Sequence, residues 1–147
     1  MTLADWHKNG WLKPHAPDKH EIGRLRAVIA RDLRVSGEQQ TDRDWRFVAA
    51  YNAALQAATM ALHAYGYQAT KGGGAHFYTL ESLKFTISAT DETVDSLQAF
   101  KAKRAGSIYE AIGIASETEI TELRVLASGL RDRVLAWLKS DHPHLLE

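Results

Sequence analysis

Between residues 101 and 110 the chain reads KAKRAGSIYE: three cations, a Gly-Ser pair, a tyrosine and a glutamate. A guanidinium and a phenol turned toward one pocket can grip a phosphate, Arg104 through two parallel N–H groups and Tyr109 through its hydroxyl. Lys101 and Lys103 would add positive charge to the same patch. The same residues also fit an ordinary helix end, where cations complement the last backbone carbonyls. Helical geometry helps to separate the two. At about 100° per residue, Arg104 falls within roughly 20° of Leu97 and Lys101 within roughly 40°, so both lie along the apolar stripe. A cation there extends past the end of the core, pairs with a carboxylate, or lines a cleft where two bundles meet. Gly106 is a good helix stop, and Ser107 with Glu110 forms an S-x-x-E cap pattern, so the helix is expected to break between Arg104 and Tyr109. That break matters, because in an unbroken helix the two positions diverge by roughly 140°.

Histidine is the other residue type that could do chemistry near neutral pH. His76 follows the KGGGA run and could reach the Arg104 cleft as a proton acceptor, although capping or packing at the start of a helix explains it better. His7, His15, His20 and His63 share no helical face, and His142 and His144 sit in the last residues. No Glu-x-x-His pair falls on a helix and cysteine is absent, so neither a metal site nor a cofactor is expected. The glycine run at 72–74 lacks P-loop spacing and no strand precedes it, which favours a connector over a phosphate cradle.

These side chains need a scaffold. At 147 residues the chain can bury one core without staples. Lys plus Arg equals Asp plus Glu at 18 each, so any nucleic-acid contact must come from a local patch and not from net charge. No stretch approaches the roughly 20 apolar residues of a membrane span, and the first residues lack a leader pattern, so a cytoplasmic location is expected.

Punctuation divides the chain into an N-terminal arm (1–17), a helical body (18–140) and a tail (141–147). The arm carries Gly10, Pro14 and Pro17 and is expected to be irregular, packing back through Trp6 and Trp11. Asp18 with Glu21 forms a capping-box pattern before a helix striped by Ile22, Leu25, Ile29 and Leu33, with Ser36-Gly37 as the stop. A second helix spans about Asp42–Tyr65 with Thr41 as its cap. It is apolar along two stripes, one with Trp45, Val48, Leu55 and Leu62 and one with Phe47, Tyr51, Ala54 and Ala58, so it should be central. Tyr51 and Asn52 are further binding candidates, and Asn52 also suits a hydrogen-bonded core position. A third helix begins near His76. A fourth begins after Thr90 with Val94, Leu97 and Phe100 inward. The last is opened by a Ser116–Glu119 box and carries Ile120, Leu123, Leu126, Leu130, Val134 and Trp137. No segment alternates with period two, so no sheet is expected. The fold class is all-α, an up-and-down antiparallel bundle of four to five helices.

In order of elements this sequence resembles the HEPN superfamily of small prokaryotic helical domains. The likeness runs from about Asp18 to Leu138. It rests on DWRFVAAYNAALQAATMALHAYGY, on the glycine-histidine loop GGGAHFYTLESL, and on a variant of the R-x4-6-H motif near the fourth main helix. The resemblance implies a dimeric bundle in one of two roles: a metal-independent endoribonuclease with the motif's arginine and histidine in a cleft between subunits, or the partner of a nucleotidyltransferase in a toxin–antitoxin pair. Residue by residue it places Arg104 at the motif arginine and Tyr109 where the histidine should stand, with His76 in the loop. A phenol with an ordinary pKa near 10 is a poor proton acceptor at neutral pH, so the motif is degenerate and binding of RNA or nucleotide survives better than cleavage. An active nuclease and a structural dimer without ligand are the competing expectations.

Overall fold

Helix α2 (Lys19–Ser36) starts where the Asp18 carboxylate accepts the Glu21 amide and ends at Gly37. In the computed structural model, residues 1–109 and 115–147 are described, with residues 106–109 described by backbone only. Helix α3 (Arg43–Tyr65) follows, with Asp42 and not Thr41 in the cap position, and it ends at Gly66, whose φ of 113° suits glycine. It is the central element, packed against α2 on one side and α7 (Glu117–Asp141) on another. Its alanines at 50, 53, 54, 57, 58 and 61 are fully buried and let neighbouring backbones approach. Trp45, expected on the inward stripe, is 63% exposed. Arg46 points inward in its place because its guanidinium has partners there, the Ser36 carbonyl and the Glu117 carboxylate.

Cross-helix contacts give the directions. Ser36 meets Arg46 at one end of the α2–α3 pair and Glu21 meets His63 at the other, so these helices are antiparallel. Leu33 and Ser36 meet Arg124 near the start of α7, which sets α2 against α7 in the same sense. All-α is thus the observed class, with the core formed where α2, α3, α6 (Asp91–Tyr109) and α7 converge. Among the described residues, no helix is long and apolar enough to cross a membrane.

The arm departs from expectation. It holds a short helix, α1 (Leu3–Lys8), opened by a reciprocal Thr2–Asp5 box, and a strand, β1 (Leu12–Pro14). That strand pairs antiparallel with β2 (Tyr67–Ala69), Leu12 opposite Ala69 and Pro14 opposite Tyr67, so the reading without a sheet is corrected. Three-residue strands are too short to show alternation. The arm does return to the body through its tryptophans: Trp6 lies edge-on to Tyr78 and Phe85, and Trp11 stacks on Tyr78 at 5.0 Å. With Leu3, Leu12 and Leu62 they make a second, smaller core.

The third helix is divided at Ser82 into α4 (Ala75–Glu81) and α5 (Leu83–Thr86). Helix α6 (Asp91–Tyr109) buries Val94 and Leu97 as expected. It does not break at Gly106-Ser107, contrary to the sequence reading. One interior glycine costs a helix only about 1 kcal/mol, less than the packing of a buried stripe returns. The proposed Ser107–Glu110 cap lies outside the described residues. Helix α7 opens with the Ser116–Glu119 box in both directions. Ser116→Ala should therefore lower unfolding free energy by about 1 kcal/mol, measured by urea denaturation. The tail is packed too: Pro143–Leu145 form a 3-10 turn that buries Leu145, and Trp137 meets His142 edge-on.

Candidate functional site

Three helices bring Tyr51, His76, Lys101 and Arg104 to one place. The Arg104 guanidinium sits over the Tyr51 ring at 5.5 Å from its centroid, a cation–π contact between α6 and α3. The His76 ring, in the first turn of α4, lies 6.3 Å from the same phenol. Gln98, one turn before Lys101 on α6, sets the spacing by donating to the Phe77 carbonyl at 3.1 Å and to Glu81 at 3.0 Å. The tie holds α6 against α4.

Electrostatics follow from this packing. Burial pushes the Tyr51 phenol up to about 12, opposed by the Arg104 charge, so it stays a neutral donor. Its hydroxyl is buried and has no hydrogen-bond partner among the described residues. Partial burial of the His76 ring, then the charges of Arg104 and Lys101, hold its pKa below the usual histidine value. His76 is exposed, and Arg104 and Lys101 are half-buried. No carboxylate pairs with Arg104 among the described residues; its guanidinium lies over the Tyr51 ring and its charge acts on the His76 ring. Such a set can hold an anion, and the neutral imidazole can take a proton.

The other candidates fall elsewhere. Lys103 binds Glu119, tying α6 to the capping box of α7, and this contact holds the Glu119 carboxyl below its ordinary range. Asn52 turns to α2, where its amide donates to Asp32 at 2.6 Å and its oxygen accepts from Gln56. This is the hydrogen-bonded core role. The Tyr109 side chain lies outside the described residues. Its backbone continues α6, so positions 104 and 109 stand roughly 140° apart around the helix axis and the expected kink is absent.

Tyr51→Phe separates stability from function. Removing an unpaired buried hydroxyl should raise unfolding free energy by about 1 kcal/mol in thermal or urea melts, and because that hydroxyl has no accessible surface, anion binding at Arg104 should be unchanged.

Sequence reading missed a second constellation. His15, Glu21 and His63 were separated because no helix face joins them, yet β1 carries His15 to the end of α3 and the start of α2. His15 Nε2 lies 2.8 Å from Glu21 Oε2, and His63 Nδ1 lies 3.3 Å from Glu21 Oε1. Only the strand pairing could have disclosed this. Comparisons of the chain with protein-family models, with curated proteins and with solved structures find no match.

Proposed function

We propose that the chain is a HEPN-like module that binds the phosphates of RNA or a nucleotide at Arg104, with His76 and Lys101 as the surrounding surface and the buried Tyr51 ring beneath the guanidinium. The observation that carries this is the guanidinium held over the Tyr51 ring beside two further potential phosphate donors, with no described carboxylate to neutralise it. An arginine kept for stability alone would more often be closed by an acid, as Arg46 is by Glu117. The sequence resemblance extends the reading to a homodimer whose two clusters line a shared cleft, and to a nucleotidyltransferase or antitoxin partner. Fluorescence anisotropy with single-stranded RNA and with nucleotides at low salt tests it, with light scattering for the dimer. Absence of binding to both ligand types at low salt would remove the proposal.

A second reading, a metal-independent endoribonuclease, is favoured by one observation: His76 is in the cluster and its depressed pKa keeps it neutral near pH 7. It could accept the 2′-hydroxyl proton that Tyr109 cannot. Incubation with RNA in EDTA decides it. Cleavage lost in both His76→Ala and Arg104→Ala supports activity, whereas intact RNA leaves the binding module.

A further inference from the structure

The second constellation has a chemistry of its own. His15, Glu21 and His63 present two imidazole nitrogens and a carboxylate whose ligand atoms all lie within 4.8 Å of one another, each residue half-buried. We propose that they form a His2Glu site for a divalent transition ion of the Zn2+ class. Nitrogen and carboxylate donors in this ratio suit zinc, and three protein ligands leave a fourth position for water. Bonds of about 2.0–2.2 Å in a tetrahedral shell place ligand atoms about 3.3–3.6 Å apart. The present separations are 2.8–2.9 Å between His15 Nε2 and the carboxylate and 3.3 Å between His63 Nδ1 and Oε1. Widening the His15–Glu21 contact by about half an ångström, with the two imidazole nitrogens within 4.8 Å of each other, would open the set to an ion.

Backbone elements hold the three ligands from different directions. His15 is anchored by its amide donating to the Gly66 carbonyl at 2.9 Å, immediately beyond α3. His63 lies in the last turn of α3, where the helix end favours a cation, and Glu21 in the first turn of α2, where it favours an anion. Gln68 of β2 sits 3.3 Å from His15 Nδ1. In the present hydrogen-bonded state its amide N–H can donate to Nδ1 while Nε2–H donates to Glu21. With Nε2 on a metal, Nδ1 carries the proton, and the Gln68 amide turned over offers its oxygen as acceptor.

The site is separate from the Arg104 cluster. Tyr51 and His63 stand twelve residues apart on α3, about 18 Å along its axis. Its ligands come from the residue after β1, from α2 and from α3, so an ion there would clamp the N-terminal arm to the body.

The test uses the full chain stripped with chelator and titrated with ZnCl2 by calorimetry, with Co2+ absorption reporting coordination geometry. We expect one ion per chain with a dissociation constant at or below about 1 μM, tetrahedral Co2+ bands and a raised melting temperature. His63→Ala and Glu21→Gln should each weaken binding at least about tenfold. Glu21→Gln keeps the shape of the side chain and serves if His63→Ala does not fold. His142→Ala/His144→Ala should leave affinity unchanged. Failure to bind zinc at micromolar concentration, or binding that survives Glu21→Gln and disappears in the tail variant, overturns the proposal.

Discussion

Arg104→Ala is expected to lower affinity for single-stranded RNA at low salt by about ten- to a hundredfold, equivalent to about 1.4–2.7 kcal/mol. The cost to the fold should be smaller. Replacing the guanidinium removes a cation–π contact of about 0.5–1 kcal/mol with Tyr51, but it also frees His76 from a neighbouring charge. The slope of log affinity against log salt should fall by about one phosphate contact. Arg104→Lys should be intermediate, because a lysine keeps the charge and loses the planar fork. The histidine supplies an independent readout. His76 has a folded-state pKa below the ordinary 6.5, so as pH falls through that value the unfolded chain takes the proton before the folded one does. Stability contributed by this residue is therefore full above about pH 6.5 and declines as pH falls toward the folded pKa. In Arg104→Ala the NMR-monitored His76 titration should move upward and the acid sensitivity should shrink. Unchanged RNA affinity in Arg104→Ala, with His76 titrating as in the parent, would show that the cluster is neither coupled nor a ligand site.

The helical scaffold was legible in the sequence where caps and stripes coincide. Asp18, Gly37, Gly66 and Ser116 mark real ends, and Ile22, Ile29, Val94, Leu97, Ile120 and Leu123 are buried where their spacing put them. What could not be read is what depends on neighbours. Trp45 and Arg46 exchange the roles that hydropathy assigns them, because a buried arginine with a carbonyl and a carboxylate waiting is less costly than its side-chain type suggests. Gly106 looks like a stop only when α6 is considered alone. At the site, the wheel placed Arg104 and Lys101 on the inward face of α6, but it could not say that Tyr51 would receive the guanidinium or that Lys103 would be taken up by Glu119. The His15–Glu21–His63 group was invisible for the same reason. Its members come from a strand end and two different helices, and no local period links them.

Removing the Arg46 side chain should produce the largest loss of stability, about 3 kcal/mol for Arg46→Ala by urea denaturation. Arg46 is only 4% exposed. Its Nε donates to the Ser36 carbonyl at 3.0 Å, and its Nη1 reaches both Glu117 oxygens at 2.8 and 3.0 Å. The arginine thus joins the carbonyl end of α2 to the amino end of α7 from the first turn of α3. Arg124 supports the same corner through the Ser36 hydroxyl at 2.9 Å. Truncation strands a helix-end carbonyl and empties the volume of the long side chain, two penalties that the remaining arginine cannot cover. The ion pair itself is the lesser part, since the Glu117 side chain is 56% exposed and water screens it. Glu117→Gln should accordingly cost less than about 1 kcal/mol, and a double-mutant cycle with Arg46→Ala should show coupling of the same small size. Arg46→Met separates the remaining causes by refilling the stem volume without the donors, so its deficit below the parent measures the stranded carbonyl. Equal losses in Glu117→Gln and Arg46→Ala would mean that charge pairing, and not the buried guanidinium, holds this corner together.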